Sequence, residues 1–529
     1  MRSSTRGRRL LLILLLGVTM IPMTAKDSAA AGELRLAGPV SGLDSLDPAL
    51  SRDLSSNSVL RQIFRGLVGF DDALRPVPEL AESITPSADG TEYVVRLRDT
   101  AVFHDGTPVE AEDVAFSLSR AVSPATADGD VTQLGGPTFL GAITGYDEVV
   151  SGQAPVLSGV VVVDARTLRI ELSAPQSTFV MRLAAVPASI VDREQVTDDP
   201  DWAVSPNGSG PFRVTTWTPN EELILEAHEG YALGRPKSDR IRYRLGSAAL
   251  QPFNLFQAGE IDLDAVVPLD ADAVAARQAS LGASLVETPG FSLTYLAFRS
   301  DVAPLDDIHV RRSLQLAFPS QEVAAISLEG RVTAARGLVP DGMLGAMWPA
   351  ELDGYDPEAA RAELARSRYG SPDEIPTIRV DVSGSYAAEA FLDAVERGLG
   401  IDVEIVDHDP GTYFDGLADG DYMTHELTWG ADYPDPATFL ASLFGGASPD
   451  NYVGFQDPDV DRLLDEANAA LDDATRIDRY AEAQQRIVDA AVVIPLFHGV
   501  QYTLVRDGVT GVSVTPMGIL RLETISVSS

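Results

Sequence analysis

"VFHDGTPVEAEDVAFSLSRAV", residues 102–122, decides how the chain is to be read. Asp105-Gly106 is a turn signal, because a short acid and a glycine tolerate the backbone of a tight reversal. Thr107 then stands as a helix cap with Pro108 at the first helical position. Glu110, three residues after the threonine, completes a capping box. Ala111, Val114, Ala115, Leu118 and Val122 follow at helical spacing on one face. The segments on either side read differently. "EYVVRLR" (92–98) alternates with the period of a half-buried strand, and so does "LRIEL" (168–172). The run "VVVV" (160–163) between them has the look of a buried strand. Strands separated by a capped amphipathic helix give an α/β chain.

The same alternation of short strands and helices continues to the C-terminus. Asp457-Pro458 opens a helix whose Val460, Leu463, Leu464, Ala467 and Leu471 keep the 3.6-residue period. A second helix follows, with Ile477, Tyr480, Ala481, Gln484, Ile487 and Val488 on one face. "VVIPLF" (492–497) returns to strand. No internal repeat and no extended low-complexity segment interrupts the pattern. At 529 residues the chain is too long for one core, and three or four domains are expected.

The first residues are of another kind. Arg2, Arg6, Arg8 and Arg9 precede the apolar run "LLLILLLGV" (10–18), and "SAAAG" (28–32) offers a cleavage site after Ala31. The run is shorter than the ~20 residues a spanning helix needs. Residues 1–31 are therefore read as a cleavable signal peptide, and the protein as periplasmic or secreted. The chain has no cysteine, so no thiol is available for a lipid anchor after cleavage. The composition holds 78 acidic against 40 basic residues, a formal net charge of −38, and its lysines are Lys26 and Lys237. So negative a surface argues against a nucleic-acid partner, since phosphate binding needs clustered cations.

A catalytic constellation is not found. The histidines stand at 104, 228, 309, 408, 425 and 498, with no pair at the three- or four-residue spacing of a metal-binding helix. No metal and no cofactor is expected. "NGSGPF" (207–212) lacks the lysine of a phosphate loop and reads as a tight turn before the strand "FRVTTW". No G-x-S-x-G elbow occurs.

Several stretches, taken in order, resemble the extracellular solute-binding proteins of ABC importers, family 5, the dipeptide/oligopeptide/nickel type. They are "SLDPAL" (45–50), "IFRGLVGFD" (63–71), "PELAES" (78–83) and the opening stretch 102–122, then "GSGPFRV" (208–214), "FQAGEIDL" (256–263) and "DIHVRRSLQLAF" (307–318). "WGADYPDPATFL" (429–440), "YVGFQDPDVDRLLDEA" (452–467) and "YAEAQQRI…IPLF" (480–497) close the series. The resemblance implies a two-lobed α/β fold of the Venus-flytrap type. Lobe I would comprise 32–63, 174–285 and 492–529, with 64–173 as an extra subdomain on it, and lobe II would comprise 286–491. It implies a binding protein, not an enzyme. That protein would capture a peptide or other amine-bearing solute and deliver it, as a monomer, to a membrane permease and its ATPase.

In peptide binders of this family the acid of the motif matching "WGADY" pairs with the ligand's α-ammonium. That residue is Asp432 here. Trp429 and Tyr433 would be flat walls, with Leu54, Tyr295 and His498 at approximate contact positions. Positions that often carry arginine for the ligand carboxylate hold Glu426 and Leu417, and an asparagine position holds Arg299. Carboxylate capture is then expected near Arg299 or not at all, and Glu426 beside Asp432 would suit a cationic solute. A metal chelate, an opine-like compound or an oligosaccharide are alternatives on the same scaffold; an exported hydrolase is the alternative of another class.

Overall fold

Two strands far apart in sequence, Ala283–Phe298 and Val493–Arg506, run antiparallel along most of their length and form the spine of the molecule. Both are rich in β-branched and aromatic residues, and the first is almost wholly buried from Phe291 onward. The computed structural model describes residues 32–41, 43, 45–346, 354–385 and 387–528, so the signal-peptide reading lies outside the described residues.

The spine belongs to an 11-stranded mixed sheet. On one side of it, Leu263–Val266 pairs antiparallel with Val493–Arg506. Glu33–Ala37 and Arg240–Arg244 come next in parallel, and then Glu222–Ala227 and Phe212–Thr218. On the other side Thr424–Gly430 lies against Ala283–Phe298, followed by Ile378–Val382 and Val403–Asp407. Each half has its own core. Leu34, Leu60, Phe64, Phe212 and Ile241 pack in the near half. Phe298, Val310, Leu314, Val380 and Phe391 pack in the far half.

The spine changes hands midway. Its register breaks between Pro289 and Leu293, opposite Val500 and His498. Proline removes a ladder donor, and Gly290 and Gly499 let the two backbones approach: a Cβ on Gly290 would fall 3.1 Å from the Gly499 carbonyl oxygen. Beyond this break Ile494, Leu496 and Phe497 pack in the far core, whereas Leu504 and Val505 pack in the near half.

The segment around the opening helix forms an antiparallel sheet in the order Ala81–Pro86, Glu92–Leu97, Thr167–Glu171, Val160–Asp164. Two details differ from the sequence reading. The helix spans Ala111–Arg120 with Glu110 as its N-cap, three residues later than Thr107. Thr107 is taken by the preceding turn, where its N–H and hydroxyl both donate to Asp105 Oδ1 (2.8 and 2.7 Å). Capping passes to Glu110, whose N–H donates to Asp113 Oδ2 (2.8 Å). The "VVVV" run is an edge strand; Val162 and Val163 are exposed, so apolar content alone misread its position.

The core of this segment is continuous with that of the C-terminal helices Pro458–Ala469 and Asp473–Asp489. Val460, Leu463, Leu464, Ala467, Tyr480 and Ile487 are buried there. Leu471 falls after the first helix and is exposed.

Candidate functional site

A cavity of about 430 Å³ lies between the two halves, beside the break in the spine. The near half contributes one face of the helix Leu54–Ile63 and Asp264 of the strand Leu263–Val266. The far half contributes Gly430, Ala431 and Asp432, and Phe291 and Gln501 come from the crossing itself. The gap is narrow at Leu54, which projects 69% exposed from the helix start; a Cβ on Gly430 would lie 3.9 Å from its Cδ1.

Asp432 follows the end of the strand Thr424–Gly430 and precedes the helix Ala437–Phe444. Thr438, in the first turn of that helix, fixes it from both ends. The Asp432 N–H donates to Thr438 Oγ1 (3.0 Å), and the Thr438 hydroxyl donates to Asp432 Oδ2 (3.2 Å). The helix start is itself anchored in the core. Asp435 is wholly buried and accepts from the Ala437 N–H (3.0 Å) and the Tyr480 hydroxyl (2.9 Å). Arg476 lies 3.4 Å from the same carboxylate. Pro434 and Pro436 limit the backbone on either side of Asp435.

No cation pairs with Asp432 among the described residues. Burial pushes its carboxyl up to about 6, against the hydrogen bond from Thr438; Asp450 adds to the rise and Arg182 opposes it. Arg182 is committed elsewhere. It donates to the Tyr433 hydroxyl (2.6 Å), the Thr178 hydroxyl (3.0 Å) and the Thr138 carbonyl (2.8 Å), and its guanidinium lies 4.5 Å from the centre of the Tyr433 ring. A buried carboxylate held in place but not neutralised can pair with an ammonium group.

Asp432 and Leu54 line the cavity; the other residues expected at the site do not. Tyr433 is buried against Arg182. Trp429 packs half-buried on the core with its indole N–H unpartnered. Tyr295 is 2% exposed in the spine, its ring 6.4 Å from that of His425. His498, also in the spine, faces the Gly337 carbonyl (3.2 Å), and burial pushes its imidazole down to about 4. Arg299 donates to Asp301 (2.9 and 2.5 Å) and to the Gly420 carbonyl, and Leu417 is buried in the helix Pro410–Asp419. Glu426 is buried and accepts from the Ser385 hydroxyl and the Ala387 N–H (3.3 Å), at the start of the helix Ala388–Leu399. Its charge serves that helix end and is not presented beside Asp432.

Apart from Leu54, sequence reasoning missed the near wall. Asn57 and Gln62, on the helix face toward the cavity, each carry a buried side-chain oxygen with no donor. Asp264 is 5% exposed. Arg61 is the one cation among the described lining residues. It donates to the Ala184 carbonyl (3.3 Å), and burial, then Arg65, lower its guanidinium to about 10. These positions carry no motif, because they come together only when segments some two hundred residues apart assemble. A second recess, around His104, Asp192, Asn207 and Arg213, is wide open, and its polar groups already have protein partners, Arg213 with Glu226 (3.2 Å) and His104 with the Gly210 carbonyl (3.2 Å). Asn207 donates to Asp192 Oδ2 (2.7 Å) and accepts from the Asp105 N–H (3.0 Å). Among the described residues no cluster of three or more potential metal ligands occurs, and no helix is long and apolar enough to cross a membrane.

A family model described as bacterial extracellular solute-binding proteins, family 5, matches residues 75–451. The chain is 26% identical to the dipeptide-binding protein of Escherichia coli, over 97% of this chain and 98% of that one. It is 25% identical to the periplasmic oligopeptide-binding protein OppA of the same organism, over 89% and 88%. Among solved structures, the unliganded open form of the murein tripeptide-binding protein MppA superposes with a TM-score of 0.78 at 24% identity, over 94% of this chain and 98% of that one. Helicobacter pylori DppA in complex with the peptide STSA superposes with a TM-score of 0.78 at 22% identity, over the same shares.

Proposed function

The chain belongs to the bacterial extracellular solute-binding proteins of family 5, and we propose that it binds a peptide or other amine-bearing solute between its two halves and hands it to a membrane permease for import. One observation carries the reading. Asp432 is desolvated, oriented by Thr438 and unpaired, at the wall of a cavity between the halves. A carboxylate in that state costs stability unless a cation arrives, so the site gains when an ammonium group enters. The names of the relatives, dipeptide- and oligopeptide-binding proteins, agree with an α-amino ligand. Members of the family are binding proteins, and this chain is read as one.

The hinge falls, in this reading, at 289–293 and 498–500, where the spine loses register. Lobe I would then hold the near strands with the extra subdomain on residues 64–173, and lobe II the far strands. Closure about two crossings is the hinge-bending class of motion, and a ligand drives it only by contacts it makes better in the closed state. Asp432 on one lobe and the Leu54–Ile63 helix on the other supply such contacts.

Native mass spectrometry of the mature chain, as purified and after addition of a tripeptide pool, tests the assignment. The expected spectrum shows one solute per chain, exchangeable for peptide. A chain that carries no amine-bearing solute and takes up no peptide overturns it.

Affinity should also depend on pH in a defined direction. The Asp432 carboxyl titrates at about 6 in the free site, and a protonated carboxyl cannot pair with an ammonium group. Binding is expected to be full at pH 7.5 and to weaken about tenfold per unit below pH 6. Calorimetric titrations at pH 7.5, 6 and 5 check this; a flat profile contradicts it.

A further inference from the structure

We propose that Asp264 receives a second positive charge, so that this chain selects solutes carrying a basic side chain in addition to the α-ammonium. The inference rests on the reading of the cavity as a peptide site and names its substrate class. It starts from two acids in one short stretch, "IDLDAVV" (261–267). Asp262 is 1% exposed and fully used. It accepts from the Arg35 backbone N–H (2.9 Å) and from the Arg35 guanidinium (3.0 and 2.5 Å), and Arg506 lies 3.3 Å away. Asp264, two residues on and 5% exposed, lines the cavity, and its carboxylate has neither a hydrogen bond nor an ion pair among the described residues. Burial alone raises its carboxyl to about 6. A buried carboxylate without a partner is costly, and a chain that supplies two arginines to Asp262 supplies none to Asp264.

Other groups of the same wall point the same way. Asn57 Oδ1 and Gln62 Oε1 are buried acceptors without donors, and Gln62 has turned its amide nitrogen to the Ser58 carbonyl (3.0 Å). The lining of this half thus carries more acceptors than donors, the balance that a group with several N–H donors, an ammonium or guanidinium, would redress. Arg61 does not neutralise Asp264. Its charge is felt together with Arg65, Glu79 and Glu523, and it forms no ion pair with Asp264. Nor do the two carboxylates act as one site. The charges that bear on Asp432 are Asp450 and Arg182, not Asp264, and Asp432 stands on the opposite half. Two separate negative centres call for two separate positive ones.

The test uses the mature chain and two series of alanine tripeptides, one with lysine and one with norleucine at each position in turn. Norleucine keeps most of the apolar stem and lacks the ammonium. The wild-type chain should bind lysine over norleucine at least tenfold in one register. Asp264→Asn should abolish that preference while keeping the norleucine affinities and a melting temperature no lower than the wild type's. Asp432→Asn should weaken both series alike. Equal affinity of the wild-type chain for the two series, or a preference that survives in Asp264→Asn, overturns this inference and leaves the peptide reading standing. Failure of the wild-type chain to bind either series overturns both.

Discussion

Asp432→Asn is expected to weaken binding of a peptide with a free α-amino group by well over tenfold, without loss of fold. Truncating one partner of a buried charge pair costs ~2–5 kcal/mol, and asparagine keeps the shape while removing the charge. The contacts that orient the side chain survive, because the Thr438 hydroxyl can donate to an amide oxygen as it does to the carboxylate. Stability should hold or rise. In the ligand-free chain the carboxylate is desolvated with no cation beside it, and a neutral amide escapes that penalty. Calorimetry and thermal melting on the same preparation separate the two effects. Unchanged affinity would remove Asp432 from the site, and a large fall in melting temperature would make its role structural.

Arg65→Ala is expected to be the most destabilising change among the charged residues near the cavity, by about 3–5 kcal/mol. The side chain is 5% exposed and binds several groups at once. Its Nε donates to the Tyr231 hydroxyl (2.7 Å) and its Nη1 to the Arg61 carbonyl (2.5 Å). Glu79 and Glu523 lie at 3.4 and 3.3 Å. Alanine leaves the half-buried Glu79 without its nearest cation, while Glu523 keeps Arg521 at 3.2 Å. Burial already raises the Glu79 carboxyl above its ordinary range, against the pull of Arg65, and loss of Arg65 raises it further. The folded variant then holds a proton more tightly than the unfolded chain, so its stability falls as pH rises through that raised pKa. The deficit should be greatest at pH 7–8 and shrink toward pH 5. Urea unfolding of both proteins at three pH values measures it; a loss under 1 kcal/mol at pH 7.5 contradicts the account.

The parts of the fold legible in sequence were those with a strong local signal. Val460, Leu463, Leu464 and Ala467 repeat at helical spacing, and they bury one face of Pro458–Ala469 as that spacing requires. The turn at Asp105-Gly106 was equally plain, but the cap after it was not, since Thr107 could bond forward or backward and Asp105 took it. The long spine strands were only glimpsed, in "VVIPLF", because Pro289, Gly290 and Gly499 break the alternation where the chain passes between halves.

Of the cavity, two lining residues were named from the sequence, Asp432 on one wall and Leu54 on the other, both through the family resemblance. The rest of the near wall carried no signal. A single aspartate in a chain of 78 acids reads as surface, and only the fold shows that Asp262 is paired and Asp264 is not. Glu426 misled for the opposite reason: it is near Asp432 in sequence, but its carboxylate accepts from the Ser385 hydroxyl and the Ala387 N–H.

The central claim is that the cavity takes the amine end of a solute, and calorimetric titration of one tripeptide with a free and with an acetylated N-terminus tests it most directly. Acetylation removes the positive charge while leaving the side chains and the far end of the peptide alone. The account predicts one site per chain for the free peptide and affinity at least tenfold lower for the acetylated one. Equal affinity for the two peptides would contradict it.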